Sequence, residues 1–255
     1  MSNSPLVVHT NLSPNCTKPR NHAIDTITIH CVVGQCTAET LGNIFAPTSR
    51  QASSNYGVDK DGRVGLYVDE ANRSWCTSSA SNDHRAITIE VASDTTAPYT
   101  VNAKAYAGLL DLVTDICRRN GIKRLLWQGD KSLIGQVAKQ NMTVHRWFAN
   151  KSCPGDYLYN LHGKIAEEVN TRLGVAQSTT PAATTTASGI PYRVRVTAST
   201  LNIRKGPGTN YGANGSIKDK GVYTIVEEST GTGAIMWGKL KSGAGWISLD
   251  YTTKL

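Results

Sequence analysis

The feature that most constrains this 255-residue chain is a segment beyond its middle that has neither charged nor aromatic residues. Residues 175–189 read VAQSTTPAATTTASG and consist mostly of Ser, Thr and Ala. Such a segment cannot bury enough apolar surface to offset the conformational entropy lost on folding, so it predicts a flexible tether. We therefore expect two domains, at 1–174 and 190–255, on either side of it.

The net charge of +8 is divided unevenly between these two predicted domains. Residues 190–255 hold nine basic and four acidic side chains, a net charge of +5, which leaves +3 for residues 1–174. A basic balance suits an anionic polymer as partner, such as nucleic acid, a membrane surface or a cell wall. No apolar run approaches the roughly 18 residues of a membrane helix, so we expect no membrane insertion.

The first ten residues lack the basic and apolar regions of a secretory signal, which predicts a cytoplasmic start. Six cysteines in a chain of this length are too few for a disulfide scaffold. We expect free thiols or metal ligands instead.

Strand-like and helix-like segments alternate along the first predicted domain, which indicates an α/β fold with a mixed central sheet flanked by helices. The predicted strands are 23–33, 86–92 and 125–127, with a hairpin formed by 55–59 and 63–68, and the predicted helices are 103–119 and 156–173. Asn102 is a favourable N-cap for the first of these helices.

The second predicted domain has a different pattern. Short apolar runs at 192–196, 222–226 and 237–240 are separated by Gly, Asn and Ser, which is typical of a small all-β barrel. This segment contains no His and no Cys, so a binding module is favoured over an enzyme.

Three side chains of the first domain have the chemistry of metal ligands. His30 ends a predicted buried strand, and Cys153 follows His145 by eight residues. Two imidazoles and one thiolate provide three zinc ligands and leave the fourth position to water, as in catalytic zinc sites. The same spacing fits a Cys153 nucleophile with His145 as its base, so the residues alone leave both alternatives open.

Several strings, taken in order, carry a more specific signal: ITIHCV, SSNYGVDKDGRV, RSWC, AITIE and VHRWFANKSCPGDYL. Together they resemble the type-2 zinc-dependent N-acetylmuramoyl-L-alanine amidases, which include phage endolysins and peptidoglycan recognition proteins. The resemblance covers most of residues 1–174. It implies that His30, His145 and Cys153 bind zinc.

The resemblance also implies roles for four further residues. Glu90 matches a strand-borne glutamate that handles protons, and Lys151 matches a basic position beside the metal that stabilises an oxyanion. Asn55 and Trp75 are the expected substrate-binding positions. One departure is Cys76, where many relatives have a His after the Trp, and we expect its thiol to pack in the interior.

The string LNIRKGPGTNY and the later GWISLDY resemble bacterial SH3 domains, small barrels attached to many cell-wall hydrolases. This likeness implies cell-wall binding by residues 190–255. Tethering would then raise the effective concentration of the first domain at its polymer.

The expected function is that of a phage endolysin, a peptidoglycan amidase that stays in the cytoplasm until host lysis. The alternatives are a peptidoglycan-binding protein without activity and a Cys/His cell-wall peptidase. Nucleic acid is not an expected partner, because only the net charge favours it and no motif does.

Overall fold

The computed structural model describes residues 2–175, 190–209, 211–231 and 234–255. The chain divides into two compact units, Met1–Gln177 and Ser178–Leu255. Apart from Val175, the predicted tether at 175–189 lies outside the described residues. Within the described ranges, no helix combines the length and the apolar character needed to span a membrane.

The first unit is an α/β fold. Its strands are β1 Val7–Thr10, β2 Cys16–Thr17, β3 Thr26–Cys31, β4 Tyr56–Val58, β5 Val64–Leu66, β6 Arg73–Ser74, β7 Ala86–Val91 and β8 Met142–Thr143. Its helices are α1 Ala38–Phe45, α2 Ala80–Arg85, α3 Ala103–Arg119 and α4 Gly155–Arg172. Short 3₁₀ turns cover Thr48–Arg50, Lys131–Leu133 and His145–Trp147.

Six of these strands form one mixed sheet in the order β1-β5-β4-β7-β3-β8. Strands β4 and β5 are antiparallel and form the predicted hairpin, whereas every other neighbouring pair is parallel. The short strands β2 and β6 pair separately. The predicted α/β class with a mixed sheet is therefore confirmed.

The central strands β3 and β7 are buried on both faces, with isoleucines on one face and Thr28 and Thr88 on the other. Ile27, Ile29, Ile87 and Ile89 are completely buried. Full burial of such a side chain contributes about 1.5–3 kcal/mol relative to exposure. The two central strands are thus a rigid support for the polar residues at their carboxyl ends.

Helix α3 has the predicted bounds because its cap and its apolar face agree. The Asn102 side chain accepts hydrogen bonds from the backbone N–H groups of Lys104 and Ala105, at 2.9 and 3.0 Å. The hairpin turn packs against the helix so closely that a Cβ on Gly108 would lie 2.5 Å from the carbonyl oxygen of Gly62. Only a glycine fits there.

The predicted strand at 125–127 is wrong, because side chains take up its backbone hydrogen bonds. The N–H of Leu125 donates to Asn170 Oδ1 at 2.7 Å, and the carbonyl of Leu125 accepts from Asn170 Nδ2 at 2.9 Å. Leu126 donates in the same way to Asn141 Oδ1 at 2.7 Å. The strand that joins the sheet beside β3 is β8 instead.

The second unit is all-β, as predicted. Its strands are β9 Tyr192–Val196, β10 Leu201–Arg204, β11 Ala213–Ile217, β12 Val222–Gly231, β13 Ala234–Leu240, β14 Trp246–Ser248 and β15 Thr252–Lys254, and a 3₁₀ turn covers Leu249–Tyr251. They form one antiparallel sheet in the order β11-β10-β14-β13-β12-β9-β15.

Apolar and basic side chains lie on opposite faces of strand β9. Val194 and Val196 point into the apolar core, while Arg193 and Arg195 are exposed. This alternation follows from the two-residue period of a strand. Trp237 and Trp246 are both buried and belong to the interior.

Candidate active site

The register of two parallel strands brings His30 and Glu90 together. His30 in β3 is directly opposite Glu90 in β7, so both side chains project from the same face of the sheet. His30 is completely buried, and the Glu90 side chain is 16% exposed. His30 Nδ1 and Glu90 Oε1 are 4.0 Å apart.

His145 reaches the same place through β8. Met142 and Thr143 pair in parallel with Ile27 and Thr28 of β3, so the chain leaves the sheet beside His30. It then turns immediately into the 3₁₀ segment that begins with His145. The centroids of the two imidazole rings are 5.2 Å apart, with an angle of 61° between their planes.

Cys153 is held over His30 by the segment that leads into α4. The backbone N–H of Arg146 donates to the carbonyl of Cys153 at 3.1 Å, and its guanidinium donates to the carbonyl of Ser152 at 2.6 Å. The next helix begins at Gly155, which has φ +79° and is packed where a Cβ would lie 2.8 Å from Pro98 O. As a result, Cys153 Sγ is 3.3 Å from His30 Nδ1.

His30, His145 and Cys153 each offer one ligand atom, and these atoms all lie within 4.8 Å of one another. Burial lowers the pKa of His30 to about 3, and burial also lowers the pKa of His145. Both imidazoles are therefore neutral at physiological pH, the form that binds a metal. Two imidazole nitrogens and one sulfur are the donor set that zinc prefers, so these residues fit the metal that the sequence predicts.

A second thiol lies beside the ligand thiol. Cys31 is buried, and its side chain shares a hydrogen bond with that of Cys153. That hydrogen bond and burial raise the pKa of Cys153 well above its ordinary value. Without a metal, Cys153 is therefore a thiol and not a thiolate.

Glu90 is a carboxyl group with an unusual pKa. Burial, and to a smaller extent a negative charge on Cys31, raise the pKa of Glu90 to about 8, whereas Arg50 acts in the opposite direction. Its Oε2 atom is buried and has no hydrogen-bond partner among the described residues. A carboxyl group with these properties can take up and release a proton near neutral pH.

Lys151 lies in the exposed loop before Cys153. Its positive charge is near enough to contribute to the lowered pKa of His145, after the larger effect of burial. The loop thus brings a positive charge close to His145. Its predicted contact with an oxyanion remains a prediction.

The structure does not place Asn55 in the site. Asn55 is completely buried, and its amide nitrogen donates to the carbonyls of Val68 and Asp69 at 3.1 and 3.3 Å. Its Oδ1 accepts from the N–H of Thr88 at 3.2 Å. These bonds join the hairpin to β7, so the predicted substrate contact by Asn55 is replaced by a structural role.

Trp75, the other predicted substrate-binding residue, is half-buried at the end of β6. Its indole N–H donates to Thr17 Oγ1 at 3.0 Å, which fixes the ring while part of its surface stays exposed. Substrate contact by this ring remains a prediction.

The loop after Trp75 brings Cys76 to the site, whereas the sequence predicts only that this thiol packs in the interior. Cys76 Sγ, a ring nitrogen of His30 and a carboxylate oxygen of Glu90 lie within 4.8 Å of one another. Asp83 accepts from the N–H groups of Cys76 and Thr77, at 3.0 and 3.1 Å, and so fixes this loop. The signal in the sequence was that Cys76 follows Trp75 where many members of the similar family have a His.

The same loop also approaches the other histidine. Ser78 has φ +65°, and its Oγ lies 3.5 Å from His145 Nε2. No feature of the sequence distinguishes this serine from its neighbours, because its contact depends on the loop conformation.

The model of one protein family, described as N-acetylmuramoyl-L-alanine amidase, matches residues 20–156. This match spans more than half of the chain and includes His30, Glu90, His145 and Cys153. The chain belongs to this amidase family. None of the curated proteins matches it.

Solved structures similar to this amidase include those of PlyL, of a selenomethionine derivative of AmpD and of the endolysin N-acetylmuramoyl-L-alanine amidase LysCS from Clostridium intestinale URNW. Their identities to the chain are 17%, 16% and 17%, and their TM-scores are 0.44, 0.47 and 0.47. The matches cover 62%, 65% and 69% of this chain, and 88%, 99% and 99% of the respective structures.

Proposed function

We propose that this amidase hydrolyses the amide bond between N-acetylmuramic acid and the L-alanine of the peptidoglycan stem peptide, with zinc held by His30, His145 and Cys153. The observation that carries the proposal is the convergence of these three ligand atoms within 4.8 Å, beside the carboxyl group of Glu90. Family membership supports the same reaction.

Zinc, when bound, lowers the pKa of a water molecule toward about 7 and polarises a carbonyl group. The chain itself must then move one proton. Glu90 accepts that proton from the attacking water at a carboxylate oxygen and delivers it to the departing amine of L-alanine. Its raised pKa of about 8 suits both steps, because neither protonation state is strongly disfavoured near neutral pH.

Lys151 has a separate role in this proposal. The carbonyl oxygen of the cleaved amide becomes negative as water adds, and a cation at the rim of the site would stabilise that charge. Lys151 is exposed in the free protein, so the bound substrate has to approach it and partly exclude water.

The two rival functions differ from this one in what they require of Cys153. A cysteine peptidase needs a thiol with a lowered pKa, whereas the surroundings of Cys153 raise its pKa. A protein that only binds peptidoglycan has no need of a complete ligand set. Zinc hydrolysis is therefore the function that the geometry supports best.

For the second unit we propose cell-wall binding by an SH3-like module. Its basic side chains Arg193, Arg195, Lys218 and Lys220 are all exposed and therefore available to an anionic polymer. We also propose that the protein is an endolysin that stays in the cytoplasm until host lysis. The isolated segment 190–255 should sediment with purified cell walls, and failure to do so would remove it as the anchor.

The decisive experiment for the reaction is digestion of purified cell walls. We expect new L-alanine amino termini, no new reducing sugar ends, loss of activity after exhaustive chelation and recovery on addition of zinc. Activity that survives chelation but is lost on thiol alkylation would instead show a cysteine peptidase. Binding without any release of amino termini would show a non-catalytic protein.

A further inference from the structure

His162 is a buried histidine for which the proposed mechanism has no use. It lies in α4 and is completely buried. Helix α4 packs against β3, the strand that carries His30. A charge on His162 would lower the pKa of His30, which agrees with the two rings being near each other.

The protonation of His162 follows from its hydrogen bond. Its Nδ1 lies 2.6 Å from the carbonyl oxygen of Leu158, and a carbonyl can only accept, so Nδ1 carries the hydrogen. Burial lowers the pKa of His162 to about 4, which leaves the ring neutral. Its Nε2 is therefore an acceptor, and it is buried with no partner among the described residues.

His30 has a buried ring nitrogen that needs an acceptor, whereas that of His162 needs a donor. Its Nδ1 faces Cys153 Sγ at 3.3 Å, on the side of the ligand cluster. A ring that offers the Nδ1 lone pair to a metal must carry its hydrogen on Nε2. That Nε2 is buried too, and it likewise has no partner within the described ranges.

We propose that His162 is a positioning residue for His30: its Nε2 accepts the Nε2–H of His30, directly or across one water, and so keeps Nδ1 directed at the metal. This inference rests on the proposed zinc site. It joins a buried donor to a buried acceptor that otherwise remain unsatisfied. Metal-binding histidines almost always donate their second N–H to a carboxylate, a backbone carbonyl or a water, and His162 would supply the acceptor here.

An aromatic cluster fixes the His162 ring. The ring centroids of Trp127 and His162 are 4.5 Å apart, and Trp127 stacks on Trp147 with a centroid distance of 5.1 Å and nearly parallel planes. Trp147 belongs to the 3₁₀ turn that begins with His145. The cluster therefore links the His162 ring to the turn that carries His145.

The test uses the full chain with His162 replaced. His162→Phe keeps a flat ring but removes the acceptor, and we expect its zinc affinity to fall by about 10- to 100-fold, measured by competition with a coloured chelator. His162→Gln keeps a donor for Leu158 and an acceptor for His30, so it should restore most of that affinity. Tyr159→Phe alters the same aromatic cluster without removing an acceptor and should bind zinc like the unmodified chain.

A second measurement needs no variant. In ¹⁵N spectra of the zinc-loaded chain, we expect His162 to be protonated at Nδ1 and His30 at Nε2. Protonation of His162 at Nε2, or unchanged zinc affinity in His162→Phe, would overturn the inference while leaving the proposed function intact. An unmodified chain that binds no zinc would overturn both.

Discussion

The two units of this protein differ in how many polar side chains they bury. The first buries many of them, including His30 and His162, whereas Ser248 is the one buried polar residue of the second unit among the described residues. All His and Cys residues of the chain precede residue 175. Buried polar groups are costly unless they are paired, so the first unit has the fixed, dry environment that catalysis needs. The second unit keeps its charge at the surface, where it can meet a polymer.

The largest expected effect concerns the metal ligands. His30→Ala should lower amidase activity by at least about 10⁴-fold, because it removes the metal's contribution as well as proton transfer, which alone is worth 10²–10⁴-fold. Sedimentation with cell walls should not change, since the second unit is intact. The matched control is His22→Ala, an exposed histidine of the same unit, which should stay fully active. Equal loss in both variants would contradict the assignment.

Glu90→Gln separates proton transfer from metal binding. We expect one zinc ion to be retained and turnover to fall by about 10²–10⁴-fold, as measured by release of L-alanine amino termini. Glu167→Gln, which alters an exposed carboxylate on α4, serves as the control. Full turnover in Glu90→Gln would remove Glu90 from the mechanism.

A pair of ion-pair variants compares the two units in stability. Arg119 donates to the buried carboxylate of Glu70 at 2.6 Å, so Arg119→Met should destabilise the first unit by about 3 kcal/mol by leaving that charge unpaired. Lys239 and Glu227, at 2.9 Å, form an exposed pair in the second unit. Lys239→Met should cost less than about 1 kcal/mol. Hydrogen exchange resolved for each unit measures both, and equal effects would contradict the contrast.

The surface charge of the second unit should have a smaller effect on function than the metal ligands or Glu90. Replacing Arg193 and Arg195 together by Gln should weaken wall binding by roughly 10- to 30-fold at low salt, since each basic group near an anionic surface contributes about 1 kcal/mol. The difference should shrink as salt is added. Zinc affinity should not change. A loss of zinc binding would show that the two regions are not independent in function.

Local sequence signals predicted the elements that depend on local interactions. Helix α3 was predicted to the residue because the Asn102 cap and the helical period agree, and the hairpin of β4 and β5 follows its turn. Helix α2 was missed because Ala80–Arg85 is a polar hexapeptide with no apolar period. Leu125 was assigned wrongly to a strand, because a distant Asn side chain takes its backbone bonds.

For the site, too, the sequence predicted which residues take part but not the contacts between distant segments. The family likeness pointed to the residues that converge, His30, His145 and Cys153, because the strings around them are visible in the sequence. It could not show that the Asn55 amide donates its hydrogen bonds to backbone carbonyls. Nor could it show that Asp83 accepts from the N–H of Cys76 and so fixes the loop that holds this thiol near Glu90. Those outcomes depend on contacts between segments, which no local pattern encodes.

In the proposed function, one zinc ion bound by the first unit serves the amidase reaction. Metal analysis of the purified full-length chain tests it most directly when combined with the amino-terminus assay. We predict one zinc per active chain, one zinc in Glu90→Gln, and neither zinc nor activity in Cys153→Ala. An active chain without bound zinc, or a Cys153→Ala variant that keeps full activity, would contradict the account.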